Sequence, residues 1–152
     1  MLTWLYLRRG LCTSYPPPAP ETIADCPTYD DYRYGLQNLA AYSFVEPLGP
    51  MGLMANYRAR AVVVLLGERD DDPEADNLAR GCRASLQGRH RLERGLVYRA
   101  HLIDEFGEVG RAYPFATIPG VGHSSTEMFQ SACGLRYIFD VGDETSCPAL
   151  AR

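Results

Sequence analysis

The chain has 152 residues, 46% hydrophobic and 22% charged, with a formal charge of −4. That length and apolar content suffice for one core burying about 68–70% of the unfolded surface, while the acidic balance excludes a nucleic-acid module held by general positive charge. No run approaches the ~20 apolar residues of a bilayer-spanning helix, so no membrane span is expected.

In chain order, Met1 to Leu7 is apolar but is followed, not preceded, by Arg8 and Arg9, which is not the arrangement of a secretory signal. The compartment stays open. Tyr15 to Tyr34 contains Pro16, Pro17, Pro18 and Pro20 ahead of a tyrosine-rich, acidic stretch. Proline fixes an extended path and cannot donate to a ladder, so this segment reads as a lid over a crevice or as a plain surface connection, and less well as a proline-rich ligand. Ala61 to Leu66 is six apolar residues bounded by Gly67, the pattern of a strand buried on both faces in a parallel sheet. The acids Asp70, Asp71 and Asp72 follow it.

Asp72 as N-cap, Pro73 at the first helical position and Gly88 as terminator predict a helix with Ala75, Leu78, Ala79, Cys82 and Leu86 on one face. A second helix is predicted from about Arg91 to Phe106, its stripe Leu92, Leu96, Ala100, Ile103 and Phe106, with Gly95 costing about 1 kcal/mol relative to alanine and Gly107 ending it. Arg89, Arg91, Arg94 and Arg99 form a basic cluster on it and read as an exposed face offset by Glu93 and Asp104. Tyr113 to Ile118 reads as a second strand, with Pro114 suited to its start or to an edge. After it come Pro119, Gly120, Val121, Gly122 and His123, then Ser124 and Glu127 at capping-box spacing before a helix.

Strand, helices, strand without a hairpin signal implies a right-handed crossover between parallel strands, whose following loops share one edge of the sheet. Asp70 and His123 are therefore expected to face one crevice. An imidazole acting as general base needs a carboxylate on its other nitrogen to fix its tautomer and stabilise the imidazolium. Asp70 is preferred over its neighbours because Asp72 is employed as a cap and Asp71 points to solvent.

The five cysteines, Cys12, Cys26, Cys82, Cys133 and Cys147, show no Cys-x-x-Cys pair and no zinc-finger spacing, so neither a metal nor another cofactor is expected. Cys82 on an apolar helix face reads as a buried thiol, and Cys12 with Cys26, or Cys133 with Cys147, as bridges in an exported protein.

Leu66 to Asp70, then Gln87 to Gly95, then Ile118 to His123, taken in that order, resemble the C-terminal half of an α/β-hydrolase-family protein. Cys26 to Asp30 with Tyr34, Gly35 and Leu36 is similar to an aromatic insertion that a bacterial subgroup carries before the acid strand. The likeness spans roughly Leu2 to Phe139. It implies an α/β class and a partial hydrolase fold, with parallel strands, crossover helices and an incomplete sheet. The implied division is residues 1–58 as a proline- and tyrosine-rich insertion or lid, 59–140 as hydrolase core and 141–152 as tail. It also implies an esterase- or lipase-like Ser-Asp-His triad in which Asp70 is the acid and His123 the base, acting on a small ester-like substrate.

No Gly-x-Ser-x-Gly nucleophile elbow occurs in the chain, and Ser14, Ser43, Ser85, Ser131 and Ser146 lack its strand-turn-helix context. The expectation is the second half of a longer reading frame, inactive alone and prone to self-association through exposed sheet edges. Two other readings stand beside it. One is a non-catalytic binding or structural fragment. The other is a dinucleotide-binding unit using Gly120 and Gly122, opposed by Ser125 at the third glycine position, with Tyr137 to Asp140 as a following strand.

Overall fold

The computed structural model describes residues 20–32, 34–142 and 147. Cys12, Pro16 to Pro18, the apolar start and most of the 141–152 tail lie outside the described residues. The fold is α/β, with several helices around a two-stranded parallel sheet.

Strand β1 is Val64–Gly67 and strand β2 is Phe115–Ile118, paired in parallel with Val64 opposite Phe115 and Gly67 opposite Ile118. β1 starts later than the apolar run because Ala61 and Val63 are exposed, Val63 by 39%. Each face of the sheet has a packed cluster, but β1 is less enclosed than its apolar run implies, since Val64, Leu65 and Leu66 are half-buried and only Gly67 is buried. Side chains alternate across a strand, so Val64 and Phe115 turn to one face and Leu65, Ala116 and Ile118 to the other. On the first face Phe115 packs with Leu102, Tyr113, Tyr57 and Phe106. On the second, Ala116 and Ile118 pack with Cys133, Cys147, Met128 and Tyr137.

Helix α1 is Pro20–Asp25 and α2 is Gly49–Arg58, with two 3₁₀ turns between them. The helix predicted from Asp72 to Gly88 is not there. The segment is a run of turns ending in one short helix, α3, Cys82–Ser85. Asp72 does accept an amide, from Glu74 at 2.8 Å, but it closes a turn. Contacts from elsewhere hold this path: Arg94 Nη2 donates to the Ala79 carbonyl at 2.9 Å, and Arg91 Nη2 to Asn77 Oδ1 at 2.8 Å.

Helix α4 is Arg91–Phe106, with the predicted ends; the His90 side chain accepts the Glu93 amide at its start and Gly107, at φ 56°, follows its end. Its buried residue is Leu102, at 3% exposure, whereas Leu96 is 41% exposed. The predicted stripe is thus only partly on the face that meets the sheet, with Phe106 packed there and Leu96 turned out. Gly95 lies on the inner face, where an added Cβ would collide with Leu66, so its helical cost accompanies close helix-to-strand packing. Helix α5, Glu108–Ala112, leads into β2.

After β2 come α6, Ser125–Gln130, and α7, Ala132–Phe139. Ser124 caps α6 by accepting the Glu127 amide at 3.3 Å, as the capping-box spacing predicts. The strand expected over Tyr137 to Asp140 is the last turn of α7, with Asp140 its left-handed C-cap, bonded to Arg136. That removes the ribose-binding strand end on which the dinucleotide reading depends.

Two disulfides are present, Cys26–Cys82 and Cys133–Cys147. The second matches one expected bridge. The first corrects two expectations, because Cys26 does not pair with Cys12 and Cys82 is not a free thiol. It fastens the segment after α1 to the irregular segment before α4, 56 residues later. Replacing Cys26 and Cys82 together by serine should lower stability by about 2–4 kcal/mol, read as a lower urea midpoint with a slope that does not fall, since the uncrosslinked unfolded chain exposes more surface. An unmoved midpoint would show that the closed loop contributes nothing.

Candidate active site

The two strands end level, and the loops that leave them are tied together. Glu68 N donates to Ile118 O at 3.1 Å and Arg69 N to Val121 O at 2.8 Å, so two amides of the first loop are satisfied by the end of β2 and by the second loop. The second loop begins as a tight turn, Val121 N to Ile118 O, with Pro119 and Gly120 as its central residues. Gly120 has φ 73°, which a type II turn demands at that position and glycine adopts without a Cβ penalty. Its amide donates to Glu68 Oε2 at 2.9 Å.

Close approach depends on Gly67. A Cβ there would stand 2.6 Å from the carbonyl oxygens of both Val121 and Gly122, a distance that forces backbone to move. With glycine in place, the end of β1 lies directly beneath the loop that carries His123.

The result brings together the two residues singled out by sequence. Asp70 Oδ2 lies 2.9 Å from His123 Nδ1, with the carboxylate 15% and the imidazole 55% exposed. When Nδ1 carries the proton it donates to Asp70, leaving Nε2 with a lone pair to accept another. Asp71 is exposed, and Asp72 is occupied with its turn. Ser124 lines the same depression, of about 380 Å³, but its hydroxyl caps α6.

Sequence reading missed a third member of this group. Arg91 does not lie on a solvated basic face. Its Nη1 is 3.2 Å from Asp70 Oδ1, its side chain is 19% exposed, and Asn77 takes its Nη2. The Leu92 amide donates to the Asp70 carbonyl at 3.0 Å. Arg94 spans the Gly88 and Ala79 carbonyls, and Glu93 accepts from Arg89, whose amide hydrogen bond chiefly holds the Glu93 carboxyl below its usual range. The Gln87 to Gly95 segment is therefore a clamp on the acid loop. No spacing rule links Arg91 to an aspartate 21 residues earlier across irregular chain, and the arginine cluster by itself reads as a solvated face.

A larger cavity of about 840 Å³ lies elsewhere, walled by residues 29–60 on one side and by α3 and α4 on the other. Tyr32, Tyr34, Phe44, Tyr57, Tyr98 and Phe106 give it aromatic walls, and Arg83 stacks over Tyr34 at 5.3 Å. It shares no lining residue with the His123 depression. Of the tyrosine-rich segment, the described residues Tyr29, Asp30, Tyr32 and Tyr34 wall this separate cavity, and none of them lines the His123 depression. Burial pushes the Tyr98 and Tyr57 phenols up, so both stay protonated.

Among the described residues no helix is long and apolar enough to cross a membrane, and no group of three or more His, Cys, Asp or Glu side chains is arranged to hold a metal ion. No protein-family model matches the chain, and no curated protein or solved structure is significantly similar to it.

Two measurements follow from these geometries. Gly67→Ala should cost about 1–3 kcal/mol through overpacking and separate the loops, abolishing the hydrogen-bonded Nδ1–H signal of His123 in proton NMR; a retained signal would mean that the loops do not need this approach. In the cavity wall, burial pushes the His101 imidazole below its ordinary 6.5, against the opposing field of Asp104. The unfolded chain then binds this proton first, so the contribution of His101 is intact above pH 6.5 and is lost as pH falls through the folded-state value. Glu105 has the opposite sign, since burial and Asp104 raise it: its contribution is present below 4.5 and lost as pH rises through the raised value. Comparing wild type with His101→Gln isolates the first. The urea midpoint of the variant should gain on wild type between about pH 7.5 and about pH 5.5, and a constant difference would refute the assignment.

Proposed function

We propose that Asp70 and His123 are the acid and base of a serine hydrolase that acts on small ester-like substrates, with the nucleophilic serine contributed by residues outside this sequence. One observation carries the reading: the 2.9 Å contact between Asp70 Oδ2 and His123 Nδ1, on loops that leave two parallel strands at one edge, with half of the imidazole open to solvent. In the proposed reaction Nε2 takes the serine hydroxyl proton as the oxygen attacks the ester carbonyl. It then returns that proton to the departing alkoxide, while Asp70 holds the tautomer and stabilises the imidazolium without itself being protonated. A partial α/β-hydrolase fold is part of the same proposal, supported by the parallel pair, its crossover helix and the resemblance of the three sequence words.

A non-catalytic binding role is the second reading. The aromatic cavity of about 840 Å³ favours it, because that cavity is larger than the His123 depression and independent of it.

One experiment separates them. The reading frame upstream of Met1 is read for a strand followed by Gly-x-Ser-x-Gly, and the polypeptide carrying that word is assayed with short activated esters. The hydrolase reading expects covalent labelling of that serine by a fluorophosphonate and a loss of turnover of about four orders of magnitude in Asp70→Asn. The 152-residue chain alone should be no faster than its His123→Ala variant. Absence of such a word, or neither labelling nor turnover in the polypeptide that carries it, would leave the binding reading, and full turnover in Asp70→Asn would show that Asp70 is not the catalytic acid.

A further inference from the structure

The Asp70 carboxylate has two oxygens and two partners. Oδ2 faces His123 at 2.9 Å, and Oδ1 faces Arg91 Nη1 at 3.2 Å. A carboxylate with one partner can turn about its terminal torsion, whose well is broad, and offer either oxygen at a range of angles. With both oxygens engaged that rotation is stopped. Arg91 is itself held at a second point, since Nη2 donates to Asn77 Oδ1 at 2.8 Å, and a planar guanidinium fixed at both ends presents Nη1 in one orientation. The backbone closes the device: Asp70 accepts the Leu92 amide through its carbonyl at 3.0 Å, so the residue that orients the carboxylate is covalently adjacent to the one that fixes its main chain.

The charged groups around the pair are few. Asp70, Arg91 and His123 are the ionisable residues lining the depression, while Glu68 is bonded to the Gly120 amide and Glu127 lies one turn into α6. Arg91 and Asp70 are both mostly buried, so their attraction is screened less than that of a surface pair.

We propose that Arg91 is the positioning residue of this site: by occupying Asp70 Oδ1 and bracing itself on Asn77, it aims Oδ2 at His123 and so selects the imidazole tautomer with hydrogen on Nδ1 and a free Nε2. In its catalytic meaning this rests on the hydrolase reading. The tautomer itself does not, because it is observable without any substrate.

The test is nitrogen-15 NMR of the His123 ring in the disulfide-intact chain, at a pH where the imidazole is neutral. Wild type should show the Nδ1–H tautomer with a hydrogen-bonded, downfield proton. Asp70→Asn, which removes the charged acceptor, marks the fully released state. Arg91→Met should move the ring most of the way toward that state and lose the downfield proton. Arg91→Lys, which keeps a charge near Oδ1 without the second arm, should restore part of the signal. Asn77→Ala, at an exposed position, removes the brace alone and should give a smaller shift in the same direction. Near-ultraviolet circular dichroism checks that each variant is folded. If Arg91→Met does not fold, the lysine and Asn77 variants carry the test. A wild-type tautomer in every folded Arg91 and Asn77 variant, with Asp70→Asn displaced, would overturn the proposal. A missing upstream nucleophile would instead defeat the hydrolase reading and leave the tautomer result standing.

Discussion

The parallel pairing of Val64–Gly67 with Phe115–Ile118 places everything else. Parallel strands in register end at the same edge, so whatever follows them is brought side by side whatever its distance in sequence. Here the two strand ends are 51 positions apart, 67 against 118, and the loop after β1 donates backbone hydrogen bonds to the end of β2 and to the loop that follows it. The pairing requires a crossover, and α4 supplies it. Its inner face, with Gly95 and Leu102, lies against the sheet, while its first turn reaches the acid loop through Arg91 and Leu92. One helix therefore both closes the crossover and braces the site.

Two strands make a small sheet, and this one is stabilised mainly from its faces. Phe115 and Leu102 anchor one side, and Ala116 and Ile118 the other, where Cys133–Cys147 holds α7. Among the described residues each strand keeps one edge without a strand partner. An open parallel edge is an unusual end state for a soluble domain, because its amides and carbonyls remain available for pairing with another chain or segment.

The acid–base pair and the aromatic cavity occupy different flanks of α4. Arg91 and Leu92 turn to the first, and Arg94, Val97, His101 and Glu105 to the second. The Cys26–Cys82 bridge ties the cavity's outer wall to the segment that also carries Asn77, the brace of Arg91.

Sequence alone determined the elements whose signals are local. The apolar runs and the Pro119–Gly120 turn mark where the strands stop, the apolar period with Gly107 sets the extent of α4, and the order of words puts Asp70 and His123 after successive parallel strands. Each follows from interactions within a few residues, or from the rule that a crossover returns a chain to the same edge. Tertiary structure decided what depends on partners distant in sequence. Residues 73–81 follow Asp72 and open with Pro73 as a helix start would, yet they form turns in which Arg91 takes the Asn77 side chain and Arg94 the Ala79 carbonyl. The face of α4 that is buried was set by Tyr57, Tyr113 and Phe115 across from it, so Leu102 went inward and Leu96 outward. Cysteine spacing left the pairing of Cys26 open, because connectivity depends on which Cα atoms the fold brings within reach. Arg91 read as solvated for the same reason: a charge on a helix is assigned to water until the fold shows which carboxylate lies beside it.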